Sequence, residues 1–235
     1  MSGTDFLILH LVEDEDAAGD VHAPIGAACV AAVAEAGGFA SEVCALTVDS
    51  AIEARLAGIV RARAPSVLGF SATGNAIGRL PALTRAAKAA APRIKTVLGG
   101  YASLGGEALL TDPNLDVVVV GEGEATVAEL LPALLSNRPL NGIPGLICRA
   151  AADGAPLTTP PRALIADLGT LPQPIYDMLP ADRGVIRINA SRGCPHGCSF
   201  CRIIDFYRRG TVRFHTADQM RTLIASLISR SPVAV

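Results

Sequence analysis

Apolar runs of strand length alternate with segments of helical period along the first half of the chain. Phe6-Leu-Ile-Leu-His-Leu-Val12 reads as a buried strand, and Pro24 to Ala36 as a helix stopped by Gly37-Gly38. The alternation repeats: a strand over 42–48, a helix over 50–63 with Ser50 as its N-cap, a strand over 66–71, and a helix over 77–91 ended by Pro92. A strand over 95–98 closes on Gly99-Gly100, a short helix follows around 107–110, and a strand over 116–120 runs into Gly121-Glu-Gly-Glu124. A helix over 126–135 completes five βα units, which predicts an α/β fold with a doubly wound parallel sheet of Rossmann or flavodoxin type over residues 1–136.

The pattern changes over residues 137–184, where Pro139, Pro144, Pro156, Pro160, Pro161, Pro172, Pro174 and Pro180 predict an extended connector. It carries at most a small hairpin around 146–149 and wraps the domain without building core. Residues 185–235 read as a strand over 185–190, a helix over 215–229 opened near Thr216, and an apolar Pro232-Val-Ala-Val235 that resembles a second strand cut short.

Sheets of this kind bind ligands beyond the carboxyl ends of their strands. The small or polar residues fall there: Ser71 and Thr73, Gly99, Gly100 and Tyr101, Gly121 and Glu122. Glycine lets a ligand approach the backbone closely. Turn and capping roles account for any one of these three groups, and for all three together less well.

Composition sharpens this reading. Half of the residues are hydrophobic but only 4% are aromatic and none is Trp, so the core is built from Ala, Val, Leu and Ile. Such a core suits helices packed tightly on a sheet. The net charge is −2 and the basic residues are scattered, apart from Arg202, Arg208, Arg209 and Arg213, which argues against a nucleic-acid partner. Those four arginines either meet a carboxylate, a phosphate or an electron donor, or form a solvated loop. No apolar run approaches the ~18 residues that cross a bilayer, and no secretory n-region opens the chain, so a cytoplasmic protein without a membrane partner is expected. Cys29, Cys44 and Cys148 stand singly in apolar segments and read as core residues.

The remaining cysteines are gathered in Cys194-Pro-His-Gly-Cys198-Ser-Phe-Cys201. Thiolates this close on one loop can point at a common centre, with Gly193, Pro195 and Gly197 shaping the backbone around it. A structural zinc normally takes four ligands from two pairs, and no second pair is present, although His196 is a conceivable fourth ligand. Three thiolates suit a 4Fe-4S cluster better, and leave one iron open for chemistry.

The loop resembles that of the radical S-adenosylmethionine (SAM) enzymes, whose motif is Cys-x-x-x-Cys-x-aromatic-Cys after the first strand of a (β/α) barrel. The resemblance implies that Cys194, Cys198 and Cys201 are the cluster ligands, that Phe200 is the motif's aromatic residue, and that the open iron chelates SAM. The first half resembles the cobalamin-binding domain that precedes the barrel in one class of these enzymes. The matching segments are His22-Ala-Pro-Ile-Gly26, Leu98-Gly-Gly-Tyr101, Asp116-Val-Val-Val-Val-Gly-Glu-Gly-Glu124, Leu130-Leu131, Ile143-Pro-Gly-Leu-Ile147 and Asp167-Leu-Gly-Thr-Leu-Pro172.

In another cobalamin-binding group, Asp-x-His-x-x-Gly supplies an axial imidazole. Here one residue too many separates His22 from Gly26, so His22 is read as part of the helix entry, and the resemblance implies a corrinoid without a protein His ligand. It further implies methyl transfer to an unactivated carbon by way of a 5′-deoxyadenosyl radical, a small-molecule or natural-product substrate, and an electron donor such as flavodoxin or ferredoxin. The family's barrel needs several more βα units than residues 185–235 supply, so a fragment or a partner chain completing the barrel is expected. A corrinoid-binding module without catalysis is the alternative. A flavodoxin-like nucleotide binder fits poorly, because no Gly-x-Gly-x-x-Gly follows the first strand.

Overall fold

The computed structural model describes residues 3–13, 24–72, 74–150, 153–178, 186–208 and 210–230. Five parallel strands form the centre of the sheet: β1 (Phe6–Glu13), β2 (Ser41–Val48), β3 (Val67–Ser71), β4 (Lys95–Gly99) and β5 (Val117–Val119). Their order is β2-β1-β3-β4-β5, the flavodoxin-like arrangement, so the α/β expectation holds.

The period of two along each strand divides the core. Leu7, Leu9 and Leu11 of β1 join Leu68, Phe70, Leu98 and Val118 on one face, under α2 (Ile52–Arg63) and α3 (Leu80–Ala90). Phe6 and Ile8 join Val67, Val97, Val117 and Val119 on the other, under α1 (Ile25–Ala36) and α4 (Glu124–Leu135). In α1 the buried residues are mainly alanines, which allow close approach to the sheet.

Several local expectations are corrected. The helix over 50–63 begins at Ile52, and its first turn is closed by Asp49, whose carboxylate accepts from the Ala51 N–H at 2.8 Å; Ser50 is not the cap. The helix over 77–91 is a 3₁₀ segment, Gly74–Arg79, followed by α3. The short helix near 107–110 is part of a 3₁₀ stretch, Tyr101–Thr111, kinked at Gly106.

The connector does more than wrap. β6 (Leu146–Arg149) pairs antiparallel with β5, and β7 (Pro156–Thr158) with β6, so the sheet has seven strands. Ile143, Leu146, Ile147 and Cys148 are buried, and both halves of the core receive residues from this segment.

The barrel strand expected over 185–190 is also corrected. Residues 186–189 carry no regular structure, and the strand is β8 (Ser191–Gly193), paired antiparallel with β9 (Val212–Phe214). Gly193 explains the pairing: its φ is +104°, and a Cβ there would lie 2.0 Å from the Thr211 carbonyl oxygen. Between these strands lies the short helix α5 (Ile203–Phe206), and after them α6 (Ala217–Arg230). Thr216 does open α6: the Gln219 N–H donates to its Oγ1 at 3.2 Å, and its own N–H donates to Gln219 Oε1 at 2.8 Å, a capping box. The apolar segment 232–235 lies outside the described residues. Among the described residues no helix is long and apolar enough to cross a membrane.

Candidate functional site

A cavity of about 350 Å³ opens at the carboxyl ends of the central strands. Ser71, Gly99, Gly100, Tyr101, Gly121 and Glu122 all line it, so six of the seven strand-end residues singled out in the sequence meet in one cleft. The seventh, Thr73, lies outside the described residues, as does His22.

The cleft floor is open backbone. Gly100 has φ +75° and Gly121 φ +83°, conformations that side chains rarely adopt. A Cβ at Gly99 or Gly121 would meet no atom within 4 Å, and one at Gly100 only Ser71 Oγ at 3.6 Å. Bare peptide groups therefore face free space, as close contact with a large ligand requires.

Two contributions went unforeseen. His10, on the β1 face shared with Phe6 and Ile8, lines the cleft with its Nδ1 3.4 Å from Ser71 Oγ. The one polar residue inside an otherwise apolar strand was the available signal. Asn189, Arg192, Phe206 and Tyr207 form a second wall supplied by the C-terminal segment. Phe206 packs edge-on against Tyr101 with ring centroids 4.8 Å apart, and Tyr207 against Phe206 at 4.9 Å. No sequence spacing announces these contacts.

Glu122 does not offer a free carboxylate to the cleft. One oxygen accepts from Arg192 Nη1 at 3.2 Å and Arg213 Nη2 at 3.0 Å. The other accepts from Arg213 Nη1 and the Ile165 N–H, both at 2.8 Å. Arg192 Nη2 also pairs with Glu124 at 2.6 Å, at the first turn of α4 where a carboxylate suits the helix dipole. The two carboxylates are 4% exposed and the arginines about 10%, so two acids and two bases form a nearly dry, neutral cluster. Burial pushes the Glu122 carboxyl up, but the bonds from Arg213, Ile165 and Arg192 outweigh it and hold it below the ordinary carboxylate value.

Arg213 is thus absorbed within the protein. Arg202 pairs with Asp205 and donates to the Leu104 carbonyl, and Arg208 donates to the Arg162 carbonyl. Arg209 lies outside the described residues.

The cysteine loop leaves β8 two residues after Arg192. Cys194 and Cys201 are half-buried, Cys198 is exposed, and Phe200 is 87% exposed. The Cys201 N–H donates to the Cys198 carbonyl at 3.1 Å, and all three thiols are free. Their donor type suits an iron-sulfur cluster. They are not drawn together, however: among the described residues no three His, Cys, Asp or Glu side chains are grouped to hold a metal ion. Cys29 is a core thiol, its pKa pushed up to about 11 by burial.

Residues 16–131 match the B12 binding domain family. The match bears out the resemblance drawn from the residues, and it contains the strand-end residues of the cleft floor.

Residues outside it also find relatives. The chain is 35% identical over 156 residues to an uncharacterized methyltransferase, PH0819, of Pyrococcus horikoshii, covering 62% of this chain and 33% of that protein. It is 34% identical over 161 residues to the anaerobic magnesium-protoporphyrin IX monomethyl ester cyclase of Rubrivivax gelatinosus, covering 63% and 29%. The chain therefore spans about a third of the length of these curated relatives. The radical SAM methyltransferase TsrM of Kitasatospora setae shares the fold, with a TM-score of 0.69 at 21% identity over 96% of this chain and 46% of that one.

Proposed function

We propose that this chain binds cobalamin in the strand-end cleft and carries the cluster-binding loop of a cobalamin-dependent radical SAM methyltransferase. The observation that carries the reading is the convergence of Ser71, Gly99, Gly100, Tyr101 and Gly121 on one open-backbone cleft, within a stretch that matches a B12 binding domain.

In this reading Gly99, Gly100 and Gly121 admit the corrinoid against the backbone. Ser71 and His10 present polar groups to its periphery, and Tyr101 with Phe206 and Tyr207 excludes water from one side. Cys194, Cys198 and Cys201 hold a 4Fe-4S cluster once the loop closes around it, with Phe200 beside it. Bound cobalamin and cluster-bound SAM supply methyl transfer and radical generation, and the protein's task is to place them against a small-molecule substrate. An electron donor and the remaining barrel, from the same or another chain, complete the system, which works in the cytoplasm.

The experiment is equilibrium dialysis with methylcobalamin in the dark, followed by EPR of the anaerobically reconstituted, dithionite-reduced protein with and without SAM. Methylcobalamin binding and a 4Fe-4S signal that shifts with SAM are expected. Absence of methylcobalamin binding overturns the reading. A second reading, a corrinoid-binding module without catalysis, needs only the stretch that matches the B12 binding domain family. It predicts methylcobalamin binding with no SAM-responsive cluster.

A further inference from the structure

We propose that Glu122, gripped by Arg192 and Arg213, is a positioning latch that transmits occupancy of the strand-end cleft to the cysteine loop. The inference rests on the cleft being the corrinoid site, and concerns how that site communicates with the loop.

Three observations converge on it. Glu122 lies in the 121–124 turn at the end of β5, on the cleft wall. Its partners Arg192 and Arg213 face each other across the β8–β9 pair, so both arms of the hairpin are fastened to one carboxylate. Cys194 follows β8 directly. Arg213 Nη1 also donates to the Ile165 carbonyl at 2.6 Å, while the Ile165 N–H binds Glu122, which fixes the connector in the same knot.

The physical consequence follows from burial. Separating these nearly dry charges strands a desolvated ion, so turn and hairpin move together or not at all. A ligand seated against Gly121 and Tyr101 shifts that turn and hence the start of the cysteine loop. Arg213 does not line the cleft, so it is a positioning residue, acting through Glu122 and the Ile165 carbonyl and lying 5.7 Å from the centre of the Tyr207 ring.

The test uses the full chain with its thiols reduced. Alkylation of Cys198 by iodoacetamide is followed by mass spectrometry, with buried Cys148 as internal reference, with and without saturating methylcobalamin. The ligand is expected to change the Cys198 rate by about fivefold or more, within the range usual for coupled sites. In Arg213→Gln the change should fall below about twofold while methylcobalamin affinity, from dialysis, stays within about threefold, since the coupling and not the site is lost. Arg213→Lys, which retains the charge, should show an intermediate change and secures the test if Arg213→Gln does not fold. The proposal is overturned if methylcobalamin binds but leaves the wild-type Cys198 rate unchanged. A full response in Arg213→Gln overturns it equally, as does loss of binding there. If methylcobalamin fails to bind the wild type, the corrinoid reading falls first and the latch with it.

Discussion

Tyr101, at the end of the sheet, and Phe206, in α5, meet edge-on with ring centroids 4.8 Å apart and planes inclined at 64°. The contact joins the B12 binding domain to the segment that carries the cysteines, and Phe206 is nearly buried in it. Phe206→Ala is expected to cost roughly 3–4 kcal/mol of stability, the lower part of the usual range for a buried aromatic deletion because one side faces the cleft. It should also weaken methylcobalamin binding by removing part of the wall. Urea denaturation and equilibrium dialysis read the two effects, and Phe206→Leu should recover most of the first.

Gly99 and Gly100 allow the cleft to be tested by steric filling. Valine at Gly100 faces two obstacles, a φ of +75° and the space beyond. At Gly99 the φ is unexceptional and a Cβ meets nothing within 4 Å, so Gly99→Val adds methyl groups to the cleft without backbone strain. The expected result is a loss of methylcobalamin affinity of at least tenfold, about 1.4 kcal/mol, with the thermal midpoint little changed. Unaltered affinity in dialysis would place the ligand elsewhere.

The parts of this protein legible in its sequence are those governed by local period. The apolar run of β1, the alanine-rich α1 and the glycines after β4 and β5 each announce themselves within a dozen residues, and the cleft floor follows from the rule that ligands sit beyond parallel strands. The hairpin around 146–149 was legible as β6 with β7, but its joining of the main sheet escaped, because strands of four and three residues set among prolines have too little pattern and their docking is decided by the open edge of β5. The Glu122 cluster escaped for a different reason. Its partners lie 70 and 91 positions away, and nothing local distinguishes a buried Arg213 from the exposed Arg202.

At the opposite end of the sheet from the cleft, Asp116 ties three elements together. Its Oδ2 accepts from Lys88 Nζ at 2.6 Å, from the Thr96 N–H at 2.7 Å and from Thr96 Oγ1 at 3.0 Å, while Lys88 also donates to the Ile94 carbonyl. Asp116→Ala leaves the Thr96 N–H without its acceptor and the half-buried Lys88 ammonium with the Ile94 carbonyl but no counter-charge, at an expected cost of roughly 2–3 kcal/mol. Asp116→Asn, which keeps an acceptor, should cost less. Denaturant titration measures both, and methylcobalamin affinity should not change if the proposed site, at the other strand ends, is the one that binds it.

Glu122 supplies a pH signature. Its carboxyl is held below the ordinary value of 4.5 in the folded state, so the unfolded chain binds the proton more readily than the folded one. The stabilisation is therefore fully present above 4.5, and it is lost as the pH falls from there through the lowered folded value. Protonation removes the charge that both arginines grip, leaving them buried with half their compensation. In Glu122→Gln that part of the acid limb should disappear: the variant is less stable at pH 7, and the gap to the wild type narrows below pH 4.5. Asp49 and Asp167, also lowered, remain in both proteins and cancel in the difference. Thermal midpoints from pH 7 to pH 3 for the pair give the comparison, and a gap that stays constant across that range would show that Glu122 is not held as its bonds imply.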